Sequence, residues 1–142
     1  MNSFIWENRT KVYFGENAVA DHLATLLQTC ALPGRKKVLL GYGGGSIKKN
    51  GAYDDAVAAI KAAGMEIVEF GGIMPNPTVD KMLEGARLAR SEEVGLILAV
   101  GGGSAMDCCK AIAVQAAYDG DAWQDFWMDG KPMEFDPLPC GV

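Results

Sequence analysis

Histidine is scarce in this sequence, with His22 alone among 142 residues. A metal centre made from this chain's own side chains would therefore depend on cysteine and carboxylate. The four cysteines, Cys30, Cys108, Cys109 and Cys140, match no zinc spacing, and the adjacent Cys108-Cys109 pair is not a CxxC site. They read as free thiols that pack as small hydrophobes. Basic residues are also in deficit: 13 Lys and Arg stand against 18 Asp and Glu, for a formal charge of −5. With no basic block to offset that balance, nucleic acid is not an expected partner. Every apolar run is broken by glycine or charge before it reaches bilayer-spanning length, so no membrane partner is expected either. No basic segment followed by an apolar core opens the chain, which predicts a cytoplasmic protein without a secretory signal. The GxGxxG fingerprint and the GxxxxGK[ST] loop are both missing, which disfavours a nucleotide-triphosphate hydrolase.

Glycine, in contrast, is abundant, at 18 residues of 142 against roughly 7% in ordinary proteins. These glycines gather after hydrophobic runs and do not form a linker, a pattern of tight turns or close ligand approach. Lys37-Val38-Leu39-Leu40-Gly41-Tyr42, Glu66-Ile67-Val68-Glu69-Phe70 and Gly95 to Val100 read as strands, the apolar ones buried on both faces. Between them lie helical patterns over 18–28, over 53–63 with a stop at Gly64, and from the N-cap Thr78 through Arg90. A further helix is predicted over 105–117, and Leu138 to Val142 reads as the start of another strand. Ile5 and Lys11 to Gly15 read as short extended pieces, as in a small hairpin or an edge addition. The aromatics Trp123, Phe126 and Trp127 lie in a proline-containing stretch with little periodicity. Alternating strand and helix with short connections predicts an α/β fold, a Rossmann-like parallel sheet with helices on both faces.

Two clusters carry the functional signal. Gly101-Gly102-Gly103-Ser104 follows the strongest strand, where α/β proteins bind ligands. Its glycines let the backbone turn, Ser104 is placed to cap the next helix, and that helix's first amides would face a pyrophosphate. Asp107 is expected in the first turn of the same helix. A tight turn with an N-cap and no ligand is the plain alternative. Gly43-Gly44-Gly45-Ser46-Ile47-Lys48-Lys49 closes the earlier strand. A site for plain NAD places an acidic side chain here on the ribose hydroxyls, and this stretch has none. Small residues, a hydroxyl and two lysines suit an added 2′-phosphate, although solvated surface lysines account equally for Lys48 and Lys49.

The wording of these motifs resembles the iron-containing (group III) alcohol dehydrogenases, in the NADPH-dependent butanol dehydrogenase and aldehyde reductase branch. The resemblance rests on Tyr42 through Gly51, on Gly71-Gly72 with Pro75-Asn76-Pro77, and on Leu98 through Ser104 followed by Asp107 and Lys110. It runs in order along essentially the whole chain. It implies the N-terminal part of a dehydroquinate-synthase-like fold, with 1–142 an incomplete NADP(H)-binding α/β domain truncated near its C-terminal end. The helical metal-binding domain, whose Asp and three His hold Fe2+ or Zn2+ in the family, is expected to be absent. Carried over, Gly102, Gly103 and Ser104 would line the pyrophosphate, with Asp107 near the nicotinamide end. Gly43, Gly44, Ser46 and Lys49 would surround the adenosine ribose and its 2′-phosphate, with Pro75 and Asn76 at the rim. The implied partners are a nicotinamide dinucleotide, an aldehyde or alcohol substrate in the full-length parent, and further copies in a homodimer or higher oligomer. No residue here reads as a hydride-transfer catalyst, and His22 reads as a partly exposed helix residue. The alternative is a nonenzymatic dinucleotide-binding or regulatory domain.

Overall fold

The computed structural model describes residues 10–142. Strands β1 (Lys37–Tyr42), β2 (Glu66–Phe70) and β3 (Leu96–Val100) form where sequence periodicity places them. A two-residue strand, β4 (Cys140–Gly141), adds to β3. All pairings are parallel and the order across the sheet is β2-β1-β3-β4. Parallel neighbours need crossovers, and the helices supply them: α3 (Ala52–Ala62) after β1, α4 (Val79–Ser91) after β2, and α5 (Gly103–Ala117) after β3. Before β1 lies α1 (Ala24–Cys30), entered through a π-helical turn at Val19–Leu23.

Side chains alternate across a strand, so each interior strand feeds two cores. Leu39, Ile97 and Ala99 point to one face, under Met82, Ala86 and Ala89 of α4 and Cys109 and Ile112 of α5. Val38, Leu40, Leu96 and Leu98 point to the other, under Leu27 of α1 and Ala56 and Ile60 of α3. Val38, Leu39, Leu40 and Ile97 are fully buried, which explains their unbroken apolar runs. A Cβ at Gly41 would collide with the Cys109 sulfur, and one at Gly85 with Ile112. Those two glycines let α5 approach β1 and α4 closely.

Thr78 caps α4 as its sequence predicts, its hydroxyl accepting from the Lys81 amide at 3.3 Å. Other expectations change. Lys11 to Gly15 form no strand, and Val12 and Phe14 are 80% and 100% exposed. An extended piece needs a paired neighbour to become sheet, and Ile5, the other half of that reading, lies outside the described residues. The one-turn helix α2 (Ser46–Lys49) has no periodicity long enough to reveal it. Residues 118–139 hold a π-helical turn at Trp123–Met128, then irregular chain leading to β4. Phe126 packs with Tyr118 and Phe135, whereas Trp123 and Trp127 stack on each other at the surface. Among the described residues no helix is long and apolar enough to cross a membrane.

Candidate functional site

From β1 the chain moves outward to β2, then returns past β1 to β3. The crossovers part company between β1 and β3, and a doubly wound sheet opens a crevice at such a point. Tyr42 pairs with Val100, so both strands end at one level and deliver their glycine clusters side by side. An open cleft of about 220 Å3 results, lined by Gly43, Gly44, Ser46, Ile47, Ile73, Pro75 and residues 101–105.

Gly101 has φ +147°, in a region that L side chains rarely adopt. It swings the backbone from strand into helix. Gly102 is extended and is itself the N-cap of α5, with no side-chain capping bond. Ser104 is therefore not the cap its position suggests: the turn at Gly101 starts the helix earlier and places Ser104 as its second residue. The amides of Ala105 and Met106 turn back to the Gly102 carbonyl at 3.0 and 3.2 Å. Those of Gly103 and Ser104 precede these bonds and belong to cleft-lining residues. Asp107 is the fifth helical residue, in the second turn and not the first. It is exposed and lies 3.9 Å from Lys110.

Of the residues singled out in the sequence, Gly43, Gly44, Ser46, Pro75, Gly102, Gly103 and Ser104 share the cleft lining. Lys49, Asn76 and Asp107 are exposed and do not line it. Asn76 adopts φ +52° beside Pro75. Sequence reasoning missed Ile47 and Ile73, apolar walls whose burial depends on long-range packing. Ile73 follows the strand-end glycines and its carbonyl would lie 3.1 Å from a Cβ at Gly43. A side chain at 43 would require that carbonyl to give way by a few tenths of an ångström.

A second cluster borders the β1 loop and was also missed. The Tyr53 hydroxyl donates a hydrogen bond to the Glu69 carboxylate. Lys48 Nζ lies 4.6 Å from the Tyr53 ring centroid and 5.1 Å from that of Tyr42. The Glu69 hydrogen bond pushes the Tyr53 phenol up to about 12. Tyr42 is raised too, first by burial and then by Glu69, with Lys48 opposing. Neither the two lysines nor the two tyrosines show this arrangement in sequence, because Glu69 arrives only through its pairing with Leu40.

The bare glycines of the cleft leave room for a phosphate-bearing ligand. Beyond the adjoining backbone, nothing lies within 4 Å of where a Cβ would stand on the cleft residues Gly44, Gly102 and Gly103, so a side chain at any of them would enter open space. The described residues do not fit a metal ion, since no group of three or more His, Cys, Asp or Glu is placed to hold one. His22 is exposed, its ring 4.8 Å from that of Tyr13.

The sequence profile of the iron-containing alcohol dehydrogenases matches residues 9–142. The chain belongs to that family. It is 42% identical over all 142 residues to a probable NADH-dependent butanol dehydrogenase of Bacillus subtilis, covering 35% of that protein. It is 38% identical to the NADPH-dependent aldehyde reductase YqhD of Escherichia coli, with 99% of this chain and 35% of the relative aligned. The crystal structure of NADH-dependent butanol dehydrogenase A from Thermotoga maritima superposes on 99% of the chain and 34% of its own length, with a TM-score of 0.84 at 41% identity. The chain thus spans about a third of the length of these relatives. Relatives named for NADH and for NADPH both align with it, which supports a nicotinamide dinucleotide as the cofactor class of the family.

Proposed function

We propose that this chain is the NADP(H)-binding portion of a metal-dependent alcohol dehydrogenase that interconverts primary, butanol-like alcohols and their aldehydes. One observation carries the reading: the two glycine clusters meet at the β1/β3 crevice in a cleft with no side chain over Gly44, Gly102 and Gly103. The bound nicotinamide supplies the hydride chemistry, and the residues present bind and orient it. The free amides of Gly103 and Ser104, at the positive end of a 15-residue helix, hold the pyrophosphate beside Gly102. Asp107, one turn further on, would be the residue nearer the nicotinamide end. Gly43, Gly44 and Ser46 would hold the adenosine ribose, with Pro75 and Asn76 at the rim and Lys49 supplying positive charge for a 2′-phosphate. Support for the phosphorylated cofactor comes from carboxylate placement. The cleft lining contains no Asp or Glu, and nearby Glu69 is occupied by Tyr53.

Titration of intrinsic fluorescence with NADPH and NADH tests this directly. NADPH is expected to bind at least about tenfold tighter, a difference of about 1.4 kcal/mol. Equal or reversed affinities would refute the NADP(H) preference, and absence of binding by either would refute the dinucleotide site. Since the described residues hold no ligand set for a metal, the isolated chain is expected to oxidise no NADPH with butyraldehyde and added ferrous or zinc ion. Turnover above the metal-only blank would overturn that part.

A further inference from the structure

The glycine loop after β1 has almost nothing of its own to hold it in shape. Glycine loses more conformational freedom on ordering than any other residue. A ligand that must order three in a row binds more weakly than one that finds them preset. The loop is therefore effective only if both flanks are anchored. On the β1 side the anchor is backbone: the Gly72 amide donates to Gly43 O and the Ile73 amide to Tyr42 O, both at 3.1 Å. On the far side lies α2, only four residues long, and a single turn cannot sustain itself. Ile47 is one anchor, 5% exposed in the core. Lys48 is the other. Its ammonium lies over the Tyr42 and Tyr53 rings, which meet edge to face with centroids 5.6 Å apart. Tyr53 is in turn hydrogen-bonded to Glu69. Lys48, Tyr53 and Glu69 all lie outside the cleft lining.

We propose that Tyr42, Tyr53 and Glu69 are positioning residues for dinucleotide binding, which fix the glycine loop by clamping Lys48 of the helix behind it. The clamp draws on β1, β2 and α3 together, so the loop is referenced to the sheet itself. Its effect on affinity rests on the dinucleotide reading above, whereas its effect on loop order does not.

Nitrogen-15 relaxation on the intact chain, paired with dinucleotide titration, separates the two. In the wild-type chain, order parameters at Gly44, Gly45 and Ser46 are expected near the rigid value of about 0.85. Lys48→Met is expected to drop them below about 0.6 while Gly103 and Ser104 keep wild-type values. Lys48→Arg, whose guanidinium also stacks on aromatic rings, is expected to restore order. Tyr53→Phe keeps the ring and loses the Glu69 bond, so it should loosen the loop part-way. Glu69→Gln, which retains an acceptor, should do so less. NADPH and NADH affinities should fall together in Lys48→Met, by about tenfold or more, because a clamp does not discriminate between them. Unchanged loop order in both Lys48→Met and Tyr53→Phe would overturn the proposal. So would a loss confined to NADPH, which would make Lys48 a direct phosphate ligand. If the wild-type chain binds neither dinucleotide, the functional reading fails and the order parameters alone decide the clamp.

Discussion

Gly41 shows how much one missing side chain decides. It reads in the sequence as an ordinary member of an apolar strand, and no local pattern says what lies above it. The structure places the Cys109 sulfur where its Cβ would be. Both residues are buried, and burial pushes the Cys109 thiol up to about 12, so its part is packing and not nucleophilic chemistry. Gly41→Ala must displace that sulfur or the helix carrying it, and overpacking of this kind costs about 1–3 kcal/mol. Cys109→Ala removes the obstructing atom and leaves a small void. The double variant should therefore be more stable than the sum of the two single losses predicts, a coupling of about 0.5–3 kcal/mol. Urea unfolding midpoints of the four proteins measure it, and simple additivity would show that the contact is not what excludes a side chain at 41.

At the level of elements, the sequence is most readable where periodicity is strongest and the ends are punctuated. β1 and β2 span the residues the sequence predicts for them, and α4 starts after its Thr78 cap. The N-terminus of α5 departs from its sequence signal because a glycine with φ +147° starts the helix ahead of the serine. The end of α5 at Ala117 falls where the sequence predicts it, but what holds it there is not local: the partners come from α4. Arg90 donates from Nε to the Ala116 carbonyl at 3.0 Å and from Nη2 to that of Gln115 at 2.8 Å, and also to that of Tyr118. The Gln115 amide, itself buried, donates to Gly120 O at 2.9 Å and accepts from the Ala122 amide at 3.0 Å. A guanidinium over a helix C-terminus meets both unpaired carbonyls and the dipole's negative end. Arg90→Met keeps much of the packing and loses those bonds. It should destabilise the chain by about 1.5–3 kcal/mol and loosen 115–122 first in hydrogen exchange. Arg90→Lys should recover little, since one ammonium cannot span three carbonyls. The exposed Asp119, 3.9 Å away, is expected to add nothing measurable.

For the molecule as a whole, the cleft sets binding against stability, and the two can be pulled apart by one atom. The cleft's glycines stand out in the sequence but their separate tasks do not, since backbone angles and neighbours decide those. Gly102 has φ −82° and nothing within 4 Å of where a Cβ would stand, so alanine fits there without strain. Gly103 is the first residue of α5 with equally open surroundings, where alanine gains up to about 1 kcal/mol from helix propensity. With that room, neither glycine is expected to be needed for folding, and under the function proposed above both keep the pyrophosphate space clear. NADPH at about 100 times its Kd should stabilise the wild-type chain by about 2.7 kcal/mol, or roughly 5–11 °C for a domain of this size. Gly103→Ala should melt at or above the wild-type temperature when unliganded, yet lose most of that ligand-induced rise. Gly102→Ala should lose the rise with its unliganded melting temperature little changed. A protein in which both variants lowered stability and ligand response together would be using these glycines for folding, and the cleft would then have no claim to be a cradle. Opposite signs in Gly103→Ala, firmer fold and weaker binding, are what a backbone kept bare for a ligand requires.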